Sequence, residues 1–126
     1  MPDDARFTFV LPPQRDERTG CLVYMGTLTS AGYPAQREHR VAAGAGHGEV
    51  VDHVYERGCR YRCCIEPSHL EIVTKEENSR RAIAARRAGH RTYDRRGLLW
   101  ELGLLPPRWA HLGEILAAHN REPSVV

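Results

Sequence analysis

Two short stretches in the middle of the chain carry its clearest strand signal. Glu49-Val50-Val51-Asp52-His53 has adjacent β-branched residues bounded by glycines, and Leu70-Glu71-Ile72-Val73 alternates apolar with polar positions. Each predicts a strand, and the two are expected to pair. A helix signal follows at once. Thr74 stands three residues before Glu77, the spacing of a capping box. The helix so opened is expected to pass through Asn78, Arg81, Ala82, Ile83 and Ala85 and to stop at Gly89.

The flanks are weaker. Phe7-Thr8-Phe9-Val10-Leu11, ahead of Pro12-Pro13, and Cys21-Leu22-Val23-Tyr24 predict two further short strands, while Gly44, Gly46 and Gly48 break any helix begun near His39-Arg40-Val41. Downstream, Leu98-Leu99-Trp100-Glu101-Leu102 and the run from Trp109 through Leu112 to Leu116 predict two short helices. Pro106-Pro107 separates them, and Pro107 suits a first helical position. The expected fold is therefore α+β in three parts: an N-terminal arm over 1–20, a core over 21–89 and a C-terminal helical extension over 90–126.

Composition sharpens this picture. With 126 residues, 27% of them charged and 7% aromatic, the apolar core is thin, and a structural metal or a tight oligomer would help the chain fold. No apolar run approaches the roughly 18 residues of a membrane span, and the N-terminus has no secretory pattern. Four cysteines in such a chain point to a reducing compartment, the cytoplasm, and to metal ligation before disulfides. From Lys75 to Arg96 eight basic residues stand against three acids, a net of +5. Arg80, Arg81, Arg86, Arg87 and Arg91 in that run are read either as a polyanion-binding surface or as a solvated helix face.

The strongest spacing is Cys59-x4-Cys64-x4-His69. Two thiolates and an imidazole on a tight loop between strands are zinc's preferred donors, at about 2.3 Å for sulfur and about 2.0–2.1 Å for nitrogen. A closed tetrahedral site needs a fourth ligand. Cys21 is the expected supplier, because Cys63 should point away from its neighbour Cys64.

Val50-Val51-Asp52-His53, the Cys59/Cys64/His69 spacing, Pro67-Ser68-His69-Leu70-Glu71, Val73-Thr74, Glu77-Asn78 and Arg81 together resemble the HNH endonucleases. The likeness is closest to the His-Cys box branch and to small phage HNH proteins, and Cys21, Gly26, Gly32-Tyr33 and His39-Arg40-Val41 extend it upstream. It covers roughly Cys21 to Arg81. The resemblance implies a zinc-stabilised ββα-metal (His-Me finger) fold, with His53 as general base and Asp52 and Asn78 as ligands of a catalytic Mg²⁺, Mn²⁺ or Ni²⁺. It also implies that Arg40 and Arg81 lie near the phosphate. Two departures stand out: about four extra residues between His53 and Cys59, and Tyr61 and Glu66 where asparagines commonly follow the loop cysteines.

The chemistry is consistent with that role. An imidazole titrating near neutrality suits activation of water, and hard oxygen donors suit Mg²⁺ rather than zinc. The leading expectation is hydrolysis of double-stranded DNA. A zinc-stabilised DNA-binding module without cutting, and an accessory subunit of a larger DNA-processing partner, stand beside it. Leu98, Leu99, Trp100, Trp109, Leu112 and Leu116 are expected to pack the C-terminal helices on the ββα unit, with a homodimer interface as the second expectation.

Overall fold

The computed structural model describes residues 11–35 and 38–121. The expected strand at 7–11 lies outside them except for Leu11, which is not in a strand. The chain divides into two compact units, Met1–Arg91 and Thr92–Val126. The structure is mixed α and β with two small two-stranded sheets.

The first unit opens with strand β1 (Gln14–Arg15) paired antiparallel with β2 (Leu22–Val23). Buried Asp16 organises the turn between them, its carbonyl accepting from the Gly20 amide at 2.7 Å and its own amide donating to the Cys21 carbonyl at 2.9 Å. β2 is in turn stitched to the cysteine loop: the Tyr24 amide donates to Cys63 at 3.0 Å and the Ile65 amide to Leu22 at 2.8 Å. Helix α1 (Glu38–Ala43) follows and ends where Gly44 adopts φ +73°, as the glycine pattern anticipated.

Strands β3 (Val50–His53) and β4 (Leu70–Val73) pair antiparallel, with Asp52 opposite Glu71 and His53 opposite Leu70. Helix α2 (Lys75–Arg87) starts immediately after β4. Thr74 Oγ1 accepts from the Glu77 amide at 3.1 Å, which is half of the expected capping box. The other half is absent, because Glu77 gives its carboxylate oxygens to Arg80 and Arg81. At the far end the His90 amide reaches the Ala85 carbonyl at 3.0 Å and Gly89 sits at φ +70°, a Schellman stop.

Among the described residues, the buried hydrophobic side chains of this unit other than Pro34 are Cys21, Val23, Met25, Cys59, Tyr61, Cys63, Cys64 and Leu70. Half of them are cysteines, so what holds the unit together depends on what those sulfurs bind. No residue of α2 is buried, so the helix has little hydrophobic attachment of its own.

The second unit is a helical pair. Asp94 caps α3 (Arg95–Glu101) through the Arg96 amide. α4 (Ala110–Asn120) is preceded by a single 3-10 turn with Pro107 at its first position. A Cβ at Gly97 would lie 2.7 Å from the Leu116 backbone, so the two helices meet where only glycine fits. Asn120 accepts from the Asp94 amide at 2.9 Å and donates back to its carbonyl at 2.8 Å, tying the end of α4 to the start of α3.

Candidate metal centre and active site

The sulfurs of Cys21, Cys59 and Cys64 and a ring nitrogen of His69 all lie within 4.8 Å of one another, and all four residues are buried. His69 Nδ1 is 3.6 Å from Cys21 Sγ and 3.7 Å from Cys64 Sγ. A zinc tetrahedron with the bond lengths above has sulfur–nitrogen edges of about 3.5 Å and sulfur–sulfur edges of about 3.8 Å. The donor set and its spacing fit that ion. Cys63 is buried but outside the cluster, as its place on the loop suggested.

Each ligand is delivered by a local device. The Asp16 turn presents Cys21. A 3-10 turn over Pro67–His69, capped by Glu66, presents His69. Gly58 at φ +97° makes room beside the imidazole: a Cβ there would sit 2.7 Å from the Thr19 carbonyl. A cation here would also relieve the thiols. Hydrogen bonds from Cys59, then Cys64, push the Cys21 thiol far down, while donating to Cys21 pushes Cys59 far up and Cys64 up to about 12. One thiolate is comfortable in this pocket and three are not, unless a dication compensates them.

Tyr61 and Glu66, noted as departures in the sequence, are both structural braces. The Tyr61 hydroxyl donates to Asp16 Oδ2 at 2.7 Å in the buried interior. Burial and this bond hold its ionisation well above the ordinary range. Glu66 accepts from the Ser68 amide and hydroxyl and from Arg15. The lengthened loop forms a 3-10 turn over Tyr55–Arg57. It is secured by a stack: Tyr55 lies 3.7 Å from His90 with planes 6° apart, and the Arg60 guanidinium carbon lies 3.4 Å from the Tyr55 ring centre.

His53 occupies the end of β3 and abuts the metal cluster, with Nδ1 3.5 Å from Cys59 Sγ. Its Nε2 is buried and without a hydrogen-bond partner. The rings of Tyr33 and His39 lie 5.8 and 5.6 Å from it, centre to centre. Burial, then the neighbouring His39, lowers its pKa to about 4. The imidazole is therefore neutral at pH 7. Sequence reasoning missed Tyr33 and His39 as neighbours of this ring, since nothing in their spacing ties them to position 53.

Asp52, one residue back, lies at the β3–α2 junction. Its Oδ2 accepts from Arg81 Nη1 at 2.9 Å. Arg81 also reaches Glu71 at 3.0 Å and Glu77 at 2.7 Å. Asn78 is one helical turn before Arg81, on the same side of α2. Glu71 has one oxygen on Arg81 and the other on Arg57 at 3.1 Å, and Glu77 is held by Arg80 and Arg81. Hydrogen bonds from those arginines hold the Glu71 carboxyl below its ordinary value and the Glu77 carboxyl down at about 2. Among the described residues, Asp52 Oδ1 and the side-chain amide of Asn78 carry no hydrogen bond, while the Asn78 backbone amide donates to the Thr74 carbonyl at 2.9 Å. Asp52 Oδ1 and the Asn78 side-chain oxygen are hard donors left without a protein partner, whereas both carboxylate oxygens of Glu71 and of Glu77 are taken by arginines.

The remaining arginines divide. Arg40 donates to the carbonyls of Glu49 and Gly46 and so fastens the loop entering β3. Arg80 is paired with Glu77, while Arg86 and Arg87 are exposed at the end of α2. Arg95, counted in the basic run, is buried in the second unit, and Arg96 is paired with Asp94. The uncompensated basic surface is smaller than the run of charges suggested. No family model, curated protein or solved structure matches the chain.

Proposed function

We propose that the chain is a divalent-metal-dependent endonuclease of the HNH type acting on double-stranded DNA, with a structural zinc held by Cys21, Cys59, Cys64 and His69. One observation carries this reading. A ribbon braced by the metal cluster holds a neutral imidazole at position 53, and the adjacent Asp52 meets the first turns of a helix that bears an unpartnered Asn78.

In this reading His53 Nε2, the nitrogen with no protein partner, takes the proton from the attacking water. The nearby Cys59 sulfur orients the ring through Nδ1. Asp52 and Asn78 would hold Mg²⁺, Mn²⁺ or Ni²⁺, and that ion would supply stabilisation of charge on the phosphate and the departing oxygen. Arg86 and Arg87 offer phosphate contacts that carry no base information, so cleavage is of low sequence specificity.

A second reading has an observation in its favour. The burial of Nε2 against Tyr33 and His39 suits a zinc-stabilised DNA-binding module that does not cut. Plasmid incubated with the zinc-loaded protein and each divalent ion decides between them. The nuclease reading expects nicking or linearisation that His53→Ala abolishes while DNA binding persists; intact plasmid with every ion refutes it.

A further inference from the structure

Three carboxylates from three elements converge on one guanidinium. Arg81 donates from Nη1 to Asp52 at 2.9 Å, from Nη2 to Glu71 at 3.0 Å and from Nε to Glu77 at 2.7 Å. Glu71 and Glu77 have second cations in Arg57 and Arg80, whereas Arg81 is the only cation paired with Asp52 among the described residues. Three acids thus face three arginines, and the cluster is formally neutral. A side chain that merely tied α2 to the ribbon would need one such bond. A fork that takes all three acids removes the negative charge a dication would seek.

We propose that Arg81 is a built-in counter-cation that occupies Asp52 in the DNA-free protein and keeps divalent-ion affinity low until a phosphodiester arrives. The inference rests on reading Asp52 and Asn78 as the divalent site and adds how that site is regulated. Mg²⁺ sheds its water reluctantly and is usually held by one or two carboxylates together with substrate phosphates. An arriving phosphate supplies one more negative charge. It also offers the guanidinium two non-bridging oxygens for a two-pronged bond in exchange for Asp52. Asp52 is then released to the ion, and metal and substrate load together.

The test is Mn²⁺ binding to the zinc-loaded full chain without DNA, read by electron paramagnetic resonance of free Mn²⁺. Removing one positive charge at this distance in Arg81→Gln is expected to tighten binding by about tenfold or more. The gain should vanish when Asp52→Asn is added. Arg81→Lys keeps the charge but cannot fork to three acids, so it should show a smaller gain, about two- to fivefold. It serves as the readout if the glutamine variant does not fold, as judged by zinc content and circular dichroism. Unchanged or weaker Mn²⁺ binding in the folded variant, or a gain that survives Asp52→Asn, overturns the proposal. Plasmid cleavage separates this from the nuclease reading. A wild type that never cuts removes the nuclease while leaving an Asp52-dependent gain standing. A wild type that cuts, with no gain in the variants, removes the counter-cation alone.

Discussion

His53 shows how one residue can be legible in sequence while its surroundings are not. Its place at a strand end before the metal loop follows from spacing. The Tyr33 and His39 rings against it come from a turn and a helix that no local pattern ties to position 53. Those neighbours have a measurable consequence. The folded-state pKa of about 4 lies below the ordinary value of about 6.5, so the unfolded chain takes up the proton first. Stability is then complete above roughly pH 6.5 and declines as pH falls through the interval to about 4. The contribution of this one group is on the order of 3 kcal/mol. Zinc-ligand protonation acts in the same direction, so the measurement is the difference between wild type and His53→Gln in urea unfolding across pH. Identical pH dependence in the two proteins would refute the burial argument. Tyr61 gives a second residue-scale expectation. Tyr61→Phe leaves buried Asp16 without its hydroxyl donor and should cost about 1–3 kcal/mol in chemical denaturation, with the zinc retained.

At the scale of elements, the ββα order was readable because β-branched runs, alternation and a capping residue are local signals. β4 has the expected bounds, β3 begins one residue late, and Thr74 caps α2 through its hydroxyl. Thr74→Ala should therefore lower stability by about 1 kcal/mol in denaturant titration. A wild-type midpoint in that variant would show that the cap contributes nothing. The fate of Glu77 was not readable. A capping box assumes that its glutamate turns back to the N-cap, and here Arg80 and Arg81 compete for that carboxylate and win. The same three-dimensional competition shrinks the basic surface, because counting charges along a sequence cannot show which of them meet acids from another element. The zinc ligands were legible for the opposite reason: thiols and imidazoles at those spacings have few other buried partners, and all four expected residues converge.

For the molecule as a whole, four of the first unit's buried side chains among the described residues are cysteines, so a zinc held by three of them would couple metal binding to folding. One zinc per chain is expected by elemental analysis. Its removal by chelator should cost on the order of 10 kcal/mol and abolish the β3–β4 ribbon signals in an amide NMR spectrum. A chelated protein that kept those signals would contradict the metal-based account. No helix among the described residues is long and apolar enough to cross a membrane. Cys59 adds a consequence of its own, since its sulfur sits both in the metal cluster and beside the His53 imidazole. Under an oxidant such as peroxide, loss of that thiolate would loosen the scaffold and release the His53 ring in a single event.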